Sequence, residues 1–529
     1  MNIMDQIHAA SQALSANDLG EAARLISEAE SVLSTITDAN YALSVRANLG
    51  GVMIDLGSWT KDEDLLTRGT QYAMEILAAV PQDKLTVAHF YNAANGYSAQ
   101  WDMRKANALD EGVIDQSHLE AKKFFRKALD IADSQPFDVE ADLRHQLLVN
   151  YANCLDSVSR SVEAIPFYNR VIRSAPHMGQ ALGNKGITLH HLAPLAWGHT
   201  HLFLLEAHRL IGDALRCPLD EQALRVFRTH YQVIGNIIEA HGIVPEQFTS
   251  SEPISPFHEF LRQFCARHEL FLTPTTLVGN EQTAIYGDPM FISRMVAPLA
   301  DDSKFDRYVT FLNQIKQDYV MARYLLIQSQ YRSDVVDAID HDVDLYYPLD
   351  YSLHSTYIQM LRTALKLAID VLDKIAYFIR DYCNVTSVTE RQVDFQRIWA
   401  DQNSPTHLRP ELATRKNPYL VALFDLALDL KKDGYYSYIN EHRNAMTHRF
   451  MVVHDMMVAE TNADIPRILL RSLLKECILA MRLARAAVMY LILFVEMEEE
   501  KLTNPDSIYG PILGTPVDGV LRWTPQRGV

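Results

Sequence analysis

The chain has 529 residues, too many for one compact core, and this length predicts two to four domains. Hydrophobic residues make up 48% and charged residues 22%, a composition that excludes disordered and fibrous proteins. The net charge of −17 repels nucleic acid over most of the surface, so any nucleic-acid site must be local.

The cysteines predict neither disulfides nor a zinc ribbon, because they are five in number, widely spaced, and never in a CxxC pair. Free thiols fit a reducing cytosol, so we expect a cytoplasmic protein. The first residues, MNIMDQIHAASQAL, lack the apolar run of a secretory signal. The apolar stretch AAVMYLILFVEM, 486–497, is shorter than the ~20 residues that span a bilayer, so we expect a buried helix and no membrane association.

A small–large–small pattern at helical spacing recurs in the first part of the chain. Spacings of four and three residues in such a pattern let one helix of a hairpin pack closely on its neighbours. The copies are Ala22/Ile26/Ala29, Gly69/Ala73/Ile76, Ala121/Phe125/Ala128 and Ala164/Tyr168/Val171. The unit at 148–176 resembles a tetratricopeptide repeat. We expect a solenoid of such helical hairpins over 1–240, with an irregular helical bundle as the alternative.

The rest of the chain divides by composition. Residues 241–300 combine Pro- and Ser-rich turns with short apolar runs and predict a partly irregular connector. Long helical patterns near 303–329, 356–383, 418–436 and 465–501 predict a four-helix bundle over 301–505. The remaining 506–529 read as an irregular tail. The predicted fold class is therefore all-α.

An arginine and a histidine, Arg443 and His448, form an R-x4-H motif between the last two of these helices. The motif, with the polar Asn444 directly after the arginine, resembles that of the HEPN family. The flanking stretches VLDKIAYFIRDYC and RLARAAVMYLILFV fit this family, and NQIKQDYVMARYLL and FLRQFCARHELFLTP fit its subfamily with an N-terminal repeat region.

The resemblance implies metal-independent RNA cleavage, in which the RNA's own 2′-hydroxyl attacks the adjacent phosphate. His448 would move the proton, Arg443 would hold the phosphate, and Asn444 would orient either group. No cofactor and no metal are expected. The structural alternative is that Arg443 caps a helix end and His448 is an ordinary structural histidine. Some HEPN domains also bind without cleaving.

The spacing of the motif sets a geometric condition. On a straight helix, five residues advance by about 500°, so Arg443 and His448 point about 140° apart. One site can then contain both only through a helix break or a second protomer. Members of the family resembled commonly pair two bundles, so we expect a homodimer through this domain.

Candidate RNA-binding residues surround the motif. Residues 409–485 contain twelve Lys or Arg and nine Asp or Glu, and a basic stripe is expected along the last helix at Arg467, Arg471, Lys475, Arg482 and Arg485. Arg449 would add charge, and Tyr438, with Tyr435 and Tyr436, could stack on a base. A solvated helix face and ordinary aromatic packing explain the same residues. The histidines at 190, 191, 199, 201 and 208 suggest a metal site, but their helical spacing disfavours it.

The sequence thus predicts an endoribonuclease that is restrained or targeted by its solenoid, which would bind a protein or peptide partner. The family resemblance suggests a prokaryotic toxin-like or antiviral role. The alternative is a non-catalytic adaptor, in which the solenoid binds a protein and the bundle dimerises or binds nucleotide.

Overall fold

The protein is all-α apart from two short strands, in a computed structural model that describes residues 2–135, 139–195, 199–245, 252–279, 287–293, 295, 303–346, 351–456 and 465–502. The chain forms two compact units. The first contains Met1–Thr188, His208–Val233 and Gln402–Leu408, and the second contains Leu189–Ala207, Ile234–Asp401 and Arg409–Val529. The sequence-predicted tail at 506–529 lies outside the described residues.

Helical hairpins build the first unit, and from α1 to α8 each helix packs against the next along the chain. Aspartates at 18, 38, 62 and 115 begin four of the helices by accepting a backbone N–H with the side chain. The helices that begin within this unit are α1 (Ile3–Ser15), α2 (Leu19–Leu33), α3 (Ala39–Thr60), α4 (Glu63–Ala79), α5 (Val87–Asp110), α6 (Gln116–Ser134), α7 (Ala141–Asp156), α8 (Ser161–Ser174), α9 (Gly179–Leu192) and α11 (Glu221–Ala240), with a 3₁₀ turn at Gln82–Lys84.

The small–large–small residues lie on α2, α4, α6 and α8, the second helix of each of the first four hairpins, and nearly all are buried. Gly69 shows why a small residue is needed, since a Cβ there would lie 2.9 Å from the carbonyl oxygen of Gly50 on α3. Stacked hairpins are therefore confirmed as helical structure, although the uneven helix lengths match a tetratricopeptide repeat only loosely.

One segment of the first unit comes from far along the chain. Within Gln402–Leu408, Thr406 accepts a hydrogen bond from the Ile114 N–H at 3.0 Å, and the Leu408 N–H donates to Gly112 at 2.8 Å. The compact units therefore do not follow the linear order of the sequence.

The second unit is organised around four long helices that pack against one another, as predicted. They are α14 (Ser303–Gln328), α16 (Thr356–Tyr382), α18 (Pro418–Leu430) and α20 (Leu470–Lys501). The other helices that begin in this unit are α10 (Thr200–Ala214), α12 (Pro256–His268), α13 (Thr275–Val278), α15 (Asp334–His341), α17 (Pro410–Ala413) and α19 (Ser437–His448), with 3₁₀ turns at Ala193–Leu195 and Glu390–Gln392.

Two predicted helices are shorter than expected. The third was expected to reach residue 436, but α18 ends at Leu430 and a turn through Gly434 leads into α19. The fourth was expected from 465, but α20 begins at Leu470 because β2 (Arg467–Leu469) comes first and pairs in parallel with β1 (Val452–His454).

Helix α20 is long and apolar enough to cross a membrane by length and composition alone. However, 83% of its most apolar window is buried inside the protein, including every residue from Leu483 to Val495. Its apolar character is therefore that of a core helix.

The connector is anchored on the bundle by buried cations. Arg323 on α14 donates to the carbonyl of Leu270 at 3.0 Å and forms a two-pronged ion pair with Asp288. Arg485 on α20 donates to the carbonyl of Phe271 at 2.8 Å. Since an arginine carries several fixed donors, each side chain satisfies backbone groups that helix and sheet pairing leave open.

Candidate active site

Helix α19 carries the whole R-x4-H motif. Residues 431–436 separate it from α18, and the turn needs glycine at 434, since a Cβ there would lie 2.3 Å from the carbonyl oxygens of both Leu428 and Asp429. The Asn440 side chain donates back to the Leu430 carbonyl at 2.9 Å. These contacts fix where α19 begins and how it is rotated.

Arg443 points toward α16, where two carboxylates lie. One of its NH groups is 3.2 Å from Asp373 Oδ2 and 3.6 Å from Asp370 Oδ1, and another donates to Asn444 Oδ1 at 3.0 Å. Its side chain is only 23% exposed. The arginine is thus held in one orientation and partly neutralised within the single chain.

The Asp373 carboxyl is perturbed by its position. Burial raises its pKa, and the hydrogen bond from the Phe395 N–H and the charge of Arg443 oppose this rise. The nearby Asp394 and Asp370 carboxylates reinforce it. The charge of Arg443 therefore does not outweigh the cost of burying this carboxylate.

His448 is the last residue of α19 and is exposed. Within the described part of the chain, no hydrogen bond involves its ring. Asn444 is exposed as well, and its Oδ1 is occupied by Arg443. The imidazole is therefore accessible to a substrate, as a proton-transferring group must be.

The helix is unbroken between the two motif residues, so a helix break, one of the two ways to bring them into one site, is excluded. Thr447 bonds back to the Arg443 carbonyl at 2.7 Å, and the helix ends only after His448. With α-helical geometry, the two side chains leave the helix about 140° apart. A helix break does not bring them together.

A second histidine, His442, was missed by the sequence reasoning. Its Nδ1 lies 2.7 Å from Glu476 Oε2 on α20, and this hydrogen bond raises its pKa, with Glu441 adding to the effect. Since Arg443 faces α16 and His442 faces α20, the two neighbouring residues fix the rotation of α19 from both sides.

The structure changes the expected basic stripe. Arg471 and Lys475 are exposed on α20, and Arg449 is exposed directly after the motif. Arg467 lies on β2 and not on the helix, and Arg485 is buried. The prediction of a continuous basic stripe is therefore wrong, because Arg485, the last arginine in it, is buried and donates to the backbone of the connector.

The tyrosines before the motif differ in accessibility. Tyr436 is buried, with 4% exposed, so it cannot stack on a base. Tyr435 and Tyr438 are half-buried, and the Tyr438 ring meets His442 edge-on at 6.2 Å. Tyr438 thus remains a candidate RNA contact, although packing on His442 accounts for its position.

Metal-binding groups of three or more His, Cys, Asp or Glu do not occur among the described residues. The histidine group at 190–208 is distributed over α9 and α10 and the residues between them.

Asp370 and Asp373 are the partners of Arg443 that the sequence could have indicated. They lie three apart on α16, within a helix whose other inward positions are apolar, and 73 and 70 residues before Arg443. Charges on a helix that is otherwise buried need partners.

Comparison with known proteins agrees with this geometry. No match was found among curated proteins or among solved structures. Residues 299–498, which contain the motif, three of the long helices and α20 as far as Glu498, match the family model of LA2681-like HEPN. This part of the chain is therefore supported as a HEPN domain.

Proposed function

We propose that the protein is a metal-independent endoribonuclease whose catalytic groups are Arg443, Asn444 and His448. The observation that carries the proposal is the state of the two motif residues in a HEPN-like bundle. Arg443 is oriented by α16, and His448 is solvent-accessible at the end of the same helix. A fixed cation and an accessible imidazole are the groups that in-line attack by a 2′-hydroxyl requires.

The proposal includes a second copy of the chain. Because α19 is continuous, Arg443 and His448 of one chain diverge, so the arginine of one protomer would work with the histidine of its partner. Exposed apolar side chains surround the small sheet that follows the motif. They are Phe450 at 78% exposed, Met456 at 61%, Tyr351 at 59% and Ile465 at 42%. Such a cluster favours a protein partner, and a self-complementary face is the simplest one.

The ion pairs of Arg443 give the enzyme an idle state in the single chain. RNA must displace Asp373 and Asp370 from the guanidinium before the phosphate can bind. This is consistent with a protein whose helical hairpins bind a protein or peptide and so control the bundle. A toxin-like or antiviral role follows from the family resemblance alone.

One observation favours the adaptor as a second candidate. An arginine that is tied to two carboxylates and a histidine without hydrogen-bond partners in the described chain also fit a bundle that only dimerises. The two candidates differ in whether Arg443 and His448 are needed for RNA cleavage.

The test is cleavage of mixed single-stranded RNA by the full chain in EDTA. The variants are Arg443→Ala and His448→Ala, with the exposed Arg391→Ala and His341→Ala as matched controls. The proposal predicts a loss of about 100-fold or more for the first two and no loss for the controls. Equal cleavage by all five proteins would assign the activity to a contaminant or to another site. Absence of cleavage by the dimeric wild type would favour the adaptor.

A further inference from the structure

A cavity of about 310 Å³ lies beside the motif, within the second unit. Arg443 and Asn444 form part of its wall. Its apolar wall is made by Ile369, Leu372, Phe395 and Leu430. The volume is at the lower end of small-molecule sites, so it suits one base with its sugar and not a longer ligand.

Two amides in the cavity wall have fixed orientations. Gln396 Nε2 and Asn440 Nδ2 both donate to the carbonyl of Leu430, at 3.1 and 2.9 Å. A carboxamide that donates through its nitrogen presents its oxygen to the other side. Since no donor to either oxygen occurs among the described residues, both act as unused acceptors next to the cavity.

An aspartate adds a further acceptor. Asp394 Oδ1 is held by the N–H groups of Gln396 and Arg397, both at 2.9 Å, so its position is fixed by the turn. Asp373 also lines the cavity, but its oxygens are engaged by the Phe395 N–H at 2.9 Å and by Arg443 at 3.2 Å. Carboxylate oxygens have more than one lone pair, so Asp394 can accept a further hydrogen bond from a ligand.

The donors lie on the remaining part of the wall. Arg397 is 69% exposed and lies 3.2 Å from Asp394 Oδ2. Arg443 and Asn444 are the motif residues. The cavity therefore offers a cluster of fixed acceptors, one exposed guanidinium and an apolar surface for a flat ring.

We propose that this cavity binds the guanine base of the RNA, next to the phosphate that is cut. Guanine is the base that carries two neighbouring donors, N1–H and the N2 amino group, which match the acceptor cluster. Its O6 and N7 are acceptors, and arginine is their common partner. The proposal rests on the proposed ribonuclease function, because it assigns Arg443 and Asn444 to the phosphate and leaves Arg397 for O6 and N7.

The other bases fit this wall less well. Adenine has a single amino donor beside an acceptor nitrogen. Cytosine likewise places an acceptor next to its amino group, and uracil has one N–H between two carbonyls. Each would leave an acceptor of the cavity facing an acceptor of the base, which costs the desolvation of both groups. The cavity thus predicts cleavage next to guanosine.

Binding of nucleotides tests the proposal without requiring catalysis. The full chain is titrated calorimetrically with the 3′-monophosphates of guanosine, adenosine, cytidine and uridine. We expect guanosine monophosphate to bind at least about tenfold more tightly than the others, the discrimination that one good pair of hydrogen bonds provides. Equal affinity for all four, or no binding, would overturn the proposal.

Two variants test the assigned acceptors. Gln396→Leu removes one, and Asp394→Asn keeps Oδ1 for the turn but replaces the other oxygen with a donor. Both should lose most of the preference for guanosine. The control is Gln359→Leu, at an exposed position of α16, which makes the same Gln-to-Leu change outside the cavity. This variant should keep the preference for guanosine. Unchanged preference in both cavity variants, with unchanged thermal unfolding, would contradict the assignment.

Sequencing of the RNA ends separates this proposal from the proposed function. If RNA is cut in an Arg443-dependent way but the ends are not enriched in guanosine, the cavity assignment fails and the ribonuclease stands. If guanosine monophosphate binds selectively but no RNA is cut, the cavity stands and the ribonuclease fails.

Discussion

The carboxylate that holds Arg443 should restrain RNA binding, and Asp373→Asn tests this. The pair is separated by 3.2 Å, and its side chains are 23% and 35% exposed. A partly exposed pair of this kind contributes up to about 1 kcal/mol after desolvation and screening. Asparagine can still accept from the Phe395 N–H, so the local structure is kept. Without the Asp373 carboxylate competing for Arg443, RNA should bind more tightly by up to this amount. Since 1.4 kcal/mol corresponds to a tenfold change in affinity, about 1 kcal/mol corresponds to about a fivefold higher RNA affinity.

The assay is the dissociation constant of a fluorescent 2′-O-methyl RNA, which lacks the attacking hydroxyl and stays intact. Asp342→Asn, at a residue that is 87% exposed, makes the same change in net charge away from the motif and serves as the control. The gain from Asp373→Asn should exceed the control and should disappear in an Arg443→Ala background. An equal gain in that background would show that Asp373 acts through general charge and not through Arg443.

Three stability predictions follow from contacts around α19 and α20. Glu476 raises the pKa of His442 in the folded protein. Their ion pair therefore stabilises the folded state fully below the unfolded-state histidine pKa of about 6.5, and this stabilisation is lost as the pH rises through the raised folded-state pKa. Glu476→Gln should therefore lower the free energy of unfolding by about 1 kcal/mol at pH 6 and change it little at pH 9, as measured by urea unfolding at the two pH values. Gly434→Ala forces a Cβ to within 2.3 Å of backbone carbonyls and should cost about 1–3 kcal/mol, whereas Gly287→Ala, with nothing within 4 Å, should leave the melting temperature unchanged. Arg485→Met removes the hydrogen bonds that the buried guanidinium donates to the Phe271 carbonyl and to Thr276 Oγ1, and should lower the free energy of unfolding by about 1–3 kcal/mol in urea unfolding. An unchanged midpoint would mean that water replaces the guanidinium.

The long helices were predictable because their signals are local. The predicted bounds of α14 and α16 are within one residue of the observed ones, since long apolar periodicity marks them directly. The small–large–small residues similarly predicted the buried faces of four hairpin helices. Patterns of this kind depend on neighbours in sequence and survive in the fold.

The errors arose where tertiary contacts decide. The two tyrosines directly after Gly434 extended the predicted third helix to residue 436 and hid the turn that ends α18. Arg485 looked like part of a basic stripe, but a connector more than 200 residues earlier in the chain uses it. The same holds for the site, since the motif is a local pattern while Asp373, the partner of Arg443, lies 70 residues earlier in the chain.

The second compact unit also contains Leu189–Ala207 and residues of the connector. A fragment cut at residue 300 would remove part of this packing. The full chain is therefore the appropriate material for every activity test.

The most direct test of the shared site is to mix two inactive variants. Arg443→Ala and His448→Ala proteins are combined, and formation of mixed dimers is verified by a tag on one chain. If the arginine of one chain works with the histidine of the other, mixed dimers contain one intact site, and RNA cleavage in EDTA should return to within a few-fold of wild type. If verified mixed dimers remain as inactive as either variant alone, the two groups do not combine across chains, and the account of the site is wrong.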